Sequence, residues 1–174
     1  MKVSGLTIEK AVLTAVLASW YAFAPQTGYG NHGDLSPVHH ALYMLSHAGV
    51  WHLAGNLFVV WIMRRRLYLA AAAVIAFAAS YLPVISPLWP LDGVTMGFSG
   101  VIFAMWGVKW GVYCQSFVPL GYRAYYERVC EFCVKILPFA MAGAVIPHVN
   151  WCLHLYCLLI GFGYGRWRWE RYGS

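Results

Sequence analysis

Charge is scarce in this chain of 174 residues: only 10% of positions are charged, and just six are acidic. A soluble domain carries about 25% charged residues, so a surface facing water on all sides is excluded. Cysteine is present five times but forms no recognisable framework. Cys130-Glu-Phe-Cys133 is a lone CxxC with no second pair to complete a metal site. Cys114, Cys152 and Cys157 lie in or beside apolar runs, where a free thiol packs as a small apolar side chain. Repeats and low-complexity segments are lacking, as is any signature for a metal, nucleotide or other cofactor. The net charge of +6 does not gather on one face. Its Lys and Arg residues punctuate hydrophobic runs, which speaks for membrane topology and against nucleic-acid binding.

What is abundant is apolar: 61% of the residues are hydrophobic, with nine Trp and twelve Tyr. The runs predict an all-α polytopic membrane protein, a single domain over 1–174 with about six spans. They fall at roughly 7–24, 51–63, 67–85, 97–117, 130–147 and 152–165. Turn residues separate them: Pro25 with Gly28 and Gly30, the Arg64–Arg66 run, Pro83 to Gly93, Pro119 to Gly121, and Pro147 to Asn150. The second span is short, making ~20 Å of helix against a ~30 Å hydrocarbon core.

Numbered from a cytoplasmic N terminus, the inner segments hold Lys2, Lys10, Arg64, Arg65, Arg66, Arg123, Arg128, Lys135, Arg166, Arg168 and Arg171. The outer segments 25–50, 86–96 and 148–151 hold neither Lys nor Arg. This asymmetry predicts both termini inside. Lys109 lies within a span, ~15 Å along the helix from Ser99 and near the inner headgroups. The stretch from Lys10 to Ala22-Phe-Ala24 imitates a signal peptide, but Pro25 follows directly and five further spans come after it. A retained first helix is therefore expected.

Three polar pieces interrupt the apolar runs: His47-Ala-Gly-Val-Trp-His52-Leu-Ala-Gly-Asn56, then Gly97-Phe-Ser99-Gly100, then His154 with Gly161. Ser99 falls near the outer end of the fourth span, where glycine neighbours and free helix N–H groups permit a substrate backbone to approach. His154 opens the sixth span; an imidazole at that depth is costly unless it is paired or at work. Ser99, Phe103 and Gly107 form one helical stripe, and His154, Cys157, Gly161 and Gly165 form another. Both spans run from outside to inside, so their small residues can bring Ser99 and His154 together. His52 and Asn56 share a face of the second span at the same depth. With the Ser99 N–H they are candidate oxyanion donors; a polar pair bracing two helices is the structural alternative. His47 is a candidate for positioning the first loop. A metal site at His39, His40 and His47 is disfavoured, because their spacing fits no helical metal motif.

These residues resemble the rhomboid intramembrane serine proteases over roughly residues 40–165. The first piece matches that family's second-helix signature, the second its GxSG motif, and the third its sixth-helix motif. The resemblance implies a six-helix rhomboid-like bundle with a Ser–His dyad and a water-filled cavity open to the outer side. Ser99 is then the nucleophile and His154 the general base, with no third catalytic acid. Asn56, His52 and the Ser99 N–H line the oxyanion hole beside Gly97, and Phe103 packs beneath the His154 ring. Gly100 and Gly161 belong to the same motifs as supporting residues. Substrates would be membrane-anchored helices weakened near the cleaved bond, and no cofactor is implied.

The chain departs from the family pattern in three places. Val38-His39 stands where a Trp-Arg pair is usual, Cys157 where a glycine is, and Arg64–Arg66 where many members carry glycine and then glutamate. Cys157 is expected to widen the contact between the fourth and sixth helices. Two other function classes compete: a rhomboid-like pseudoprotease that binds membrane helices without cutting them, and a small transporter or channel. A binder needs none of Ser99, His154, His52 and Asn56, and nothing polar continues inward to form a pathway. A peptidase dedicated to one sorting tail is a narrower variant of the protease reading. The short chain suggests a prokaryotic cytoplasmic membrane.

Overall fold

The computed structural model describes residues 5–26, 28, 30, 35–63, 67–82, 94–141 and 149–172. Among them the regular structure is helical: α1 (Gly5–Phe23), α2 (Pro37–Leu42), α3 (Val50–Ile62), α4 (Leu69–Ala79), α5 (Ser99–Gln115), α6 (Tyr122–Lys135), α7 (Leu137–Met141) and α8 (Trp151–Tyr172). The expected breaks at Arg64–Arg66 and at 83–93, and the end of the fifth expected span at 142–147, lie outside the described residues. Of the described helices, α1 alone is long and apolar enough by itself to cross a membrane. The others are shorter or carry charge near an end, so the number of spans is not set by helix length.

The fold is organised around α5 and α8, which pack along their whole length. Glycine is the cause. A Cβ on Gly161 would stand 2.5 Å from the Ala104 carbonyl oxygen, and one on Gly165 2.2 Å from that of Val108. From the α5 side, a Cβ on Gly107 would meet the Leu158 oxygen at 2.2 Å, and one on Gly111 the Phe162 oxygen at 2.2 Å. These contacts advance by four residues on both helices, so α5 and α8 run parallel. In a bilayer, where lipid tails are as apolar as leucine, such close backbone packing replaces hydrophobic burial as the force between helices. Cys157 does not spoil it: its side chain is fully buried, with Sγ 3.5 Å from where a Cβ of Gly100 would sit.

Around this pair, α4 leans on both helices, α7 covers α8, and α1 packs against α3. The short α3 is anchored through its C-terminal carbonyls. Buried Lys10 of α1 donates to the carbonyl oxygens of Trp61 and Met63, and Trp61 Nε1 donates to Thr14 Oγ1 at 3.0 Å. A cation at a helix C terminus satisfies orphan carbonyls and complements the dipole. Outward faces are greasy: Ile8, Val12 and Val16 on α1, and Trp51, Phe58 and Ile62 on α3, are exposed. A contiguous apolar surface of this kind belongs against lipid.

The fifth expected span, 130–147, is described as far as Met141. Its first residues belong to α6, which starts at Tyr122 and carries Arg128–Glu131 and Lys135–Glu131 pairs at 2.6 Å each, with Arg123–Glu127 at 3.3 Å. Ion pairs at i,i+3 and i,i+4 make a water-compatible helix, and the chain breaks at Ile136, two residues before Pro138, which cannot continue the hydrogen-bond ladder. From Ile136 to Met141 the described residues are apolar.

Candidate active site

The site is assembled from the start of α5, the start of α8, one face of α3 and the loop before it. Ser99 is the first residue of α5, so its N–H is one of the helix donors without an intrahelical acceptor. The approach to it is a sharp turn at Gly97, with φ of +124°. Only glycine fits there on a second count as well: a Cβ would lie 2.5 Å from His52 Cε1 and 2.7 Å from His52 Nε2.

The first loop holds this turn in place. Gly97 N–H donates to the Tyr43 carbonyl at 2.9 Å, and Phe98 N–H points to His47 Nε2 at 3.4 Å. His47 Nδ1 donates to the Leu45 carbonyl at 3.0 Å, which leaves Nε2 as the acceptor, so the ring is neutral. Burial, chiefly, with His52 nearby, lowers its pKa to about 4, partly opposed by the bond to Leu45. The loop in turn hangs from α1. Gln26 gives its amide N–H groups to the carbonyls of Trp20, Tyr21 and Ala24, and its oxygen accepts the His47 backbone N–H at 3.0 Å.

At the other side, Asn150 ties the turn to α8. Its Nδ2 donates to Thr95 Oγ1 at 2.8 Å, while its Oδ1 accepts the Leu153 N–H at 3.2 Å and so caps α8. His154, one residue later, then presents Nε2 to Ser99 Oγ at 2.8 Å. The imidazole stacks on Phe103, ring centroids 4.4 Å apart and planes at 25°. The expectation that Cys157 would open this contact is not met.

Asn56 and His52 face the same place. Asn56 is buried, and its Nδ2 is among the few buried polar atoms of the described residues with no hydrogen-bond partner. It lies 3.6 Å from the Cβ position of Gly97. An orphaned buried donor costs about 1–3 kcal/mol and is a mark of a site made for an incoming acceptor. Ser99, His154, Asn56 and His52 all line one cavity of about 680 Å³, whose other walls include Tyr43 and Asn150. Gly100 and Gly161 lie at the close contacts of the frame: a Cβ on Gly100 would meet Tyr43 Oη at 3.1 Å.

The expected site residues thus come together, with His47 one step behind the cavity as a clamp on the turn. His40 has other partners: its Nδ1 bonds Ser80 Oγ at 2.7 Å and its ring stacks on Tyr81. No cluster of potential metal ligands occurs among the described residues. Tyr43 and Thr95 were not legible as site residues. Asn150 stands directly before an apolar run, which is an N-cap signal.

No curated protein and no solved structure gives a significant match to this chain. The family model of the Rhomboid domain, however, matches residues 36–171. That segment contains the second half of the first loop, both motif-bearing glycine helices and the full Ser99–His154 site, and the chain belongs to the rhomboid family.

Proposed function

We propose that this protein is an intramembrane serine endopeptidase that cleaves membrane-anchored helical substrates. The observation that carries the reading is the Ser99 Oγ to His154 Nε2 hydrogen bond of 2.8 Å, made at the wall of a cavity that also contains an unsatisfied amide donor. With Nε2 as acceptor, the imidazole proton sits on Nδ1. His154 takes the Ser99 proton as Oγ attacks the scissile carbonyl, and negative charge develops on the carbonyl oxygen. Asn56 Nδ2, the His52 ring and the Ser99 N–H are the donors for that oxyanion. His154 then protonates the leaving amine. Water from the cavity hydrolyses the acyl-enzyme, with His154 again as base. Phe103 holds the imidazole plane by stacking, without a third acid.

The substrate helix has to unwind locally, since a helical carbonyl is hydrogen-bonded and shielded. The reading carries with it six spans in a prokaryotic cytoplasmic membrane, both termini on the basic, cytoplasmic side, and a cavity open to the outer side.

A fluorophosphonate probe applied to the detergent-solubilised protein tests the dyad. Labelling of the wild type that disappears in both Ser99→Ala and His154→Ala is expected. Equal labelling of all three proteins, or none in folded wild type, refutes the activated serine and favours a helix-binding pseudoprotease.

A further inference from the structure

The Ser99 face of α5 continues past the dyad as a row of rings. Phe103, Trp106 and Trp110 follow Ser99 at four, seven and eleven residues, so all four share one helical stripe. Side chains on a helix lean toward its N terminus, which brings Trp106 up against Phe103. His154 of α8 stacks on Phe103, with 4.4 Å between centroids and 25° between planes. Trp106 meets Phe103 edge to face, centroids 5.4 Å apart and planes at 82°. Phe139 of α7 packs on the indole, again edge to face, at 6.4 Å and 75°. Ring contacts thus run from α7 through two side chains of α5 to the imidazole of α8.

The imidazole depends on these rings for its plane. Its Nε2 bonds Ser99 Oγ, and one hydrogen bond leaves a ring free to tilt about it. The acids of the described residues lie elsewhere: Glu9 on α1, Glu127 and Glu131 on α6, and Glu170 near the far end of α8. The stack on Phe103 therefore sets the plane, but the χ2 torsion of a phenylalanine is soft and has to be fixed from outside. Phe103 is only partly buried, at the seam between the main core and a smaller cluster around Phe132, Ala140 and Leu158. The indole of Trp106 lies in the same seam and meets the phenyl ring at the angle that ring quadrupoles favour. We propose that Trp106 is a positioning residue: it holds Phe103, and through it His154, in the plane that aims Nε2 at Ser99 Oγ. The proposal rests on the Ser–His reading given above.

Three variants of the full chain test it. Trp106→Leu keeps apolar bulk but removes the ring, and Trp106→Phe restores a ring. Trp110→Leu is the packing control, because the ring partners of Trp110 are Tyr113 and Phe132. With a membrane-anchored reporter, Trp106→Leu should lower kcat about three- to tenfold, the scale of one aromatic pair beyond its buried area. KM should stay unchanged, Trp106→Phe should recover most of the loss, and Trp110→Leu should keep kcat within twofold even if it unfolds as easily. A kcat within twofold of wild type in Trp106→Leu, or an equal fall in Trp110→Leu, overturns the proposal. A second readout needs no turnover: the ring signals of His154 in the NMR spectrum of histidine-labelled protein, identified by their loss in His154→Gln. Stacking on Phe103 displaces them, so Trp106→Leu should move them and Trp110→Leu should not. Signals that stay in place in Trp106→Leu overturn the positioning role. Wild type that cleaves nothing, yet shows His154 signals moving in Trp106→Leu alone, defeats the peptidase reading and leaves Trp106 as the support of the ring.

Discussion

Replacing Asn56 by alanine separates a catalytic donor from a structural brace, because the two roles predict opposite balances of activity and stability. Asn56 Nδ2 is buried without an acceptor, and such a donor destabilises the folded state by about 1–3 kcal/mol. Alanine removes that cost. The side chain borders an existing cavity of about 680 Å³, so its truncation enlarges an open space and creates no closed void. The net change in unfolding free energy should stay within ~1 kcal/mol, the scale of a modest substitution. Loss of one oxyanion donor, by contrast, lowers kcat by about 10²–10³. The assay is cleavage of a membrane-anchored reporter in proteoliposomes, with thermal unfolding measured on the same preparation. If Asn56→Ala keeps activity within tenfold of the wild type, the donor assignment is wrong. If it unfolds several kcal/mol more easily and loses activity only in proportion, Asn56 is a brace.

Three further outcomes follow from the packing and from the clamp on the turn. Gly107→Ala places a Cβ 2.2 Å from the Leu158 carbonyl oxygen; backbone cannot yield as a side-chain tip can, and thermal unfolding should show a loss of about 1–3 kcal/mol. Cys157→Gly, the change toward the usual family residue, empties a fully buried position and puts glycine inside a helix. Unfolding should become easier by roughly 1–2 kcal/mol with no gain in fluorophosphonate labelling; a more reactive and equally stable variant would show that Cys157 holds α5 and α8 apart. His47 has its pKa lowered to about 4 by burial, so the unfolded chain takes up its proton first as pH falls. The clamp's contribution is whole above the unfolded value of about 6.5 and is lost on the way down to about 4, a penalty of ~2 kcal/mol at pH 5. Thermal midpoints between pH 7 and 4.5 should therefore fall more steeply for the wild type than for His47→Gln, and parallel curves would refute the neutral-histidine clamp.

Much of the architecture was legible because membrane burial writes directly into composition. A chain with so few charges cannot face water on all sides, and the confinement of Lys and Arg to alternate segments is the signal from which an orientation is proposed. The motifs were legible because helical periodicity puts His52 with Asn56, and His154 with Gly161, on defined faces before any packing is known. Gly107, Gly161 and Gly165 likewise announce a close approach of two helices, since small residues at four-residue spacing have few other uses in a bilayer. In the fifth expected span, hydropathy averages over Glu131 and Lys135, whereas the pairs of Glu131 with Arg128 and with Lys135 make that part of the helix locally polar.

Other features depend on contacts between residues far apart in the chain, which no local pattern encodes. The 2.8 Å approach of His154 to Ser99 requires the parallel register of α5 and α8, and that register is set by carbonyl oxygens meeting glycine Cα atoms along the whole interface. The turn at Gly97 is held by Tyr43 and His47 from the first loop, and that loop is held by Gln26 at the end of α1. The orphaned amide of Asn56 is visible only once every neighbour that might have satisfied it has a position. Residue types and their periodicity determine which groups are available for chemistry and on which helix face. Their mutual distances, and which donor is left without an acceptor, come from long-range packing, because hydrogen bonds are satisfied or left open only in three dimensions.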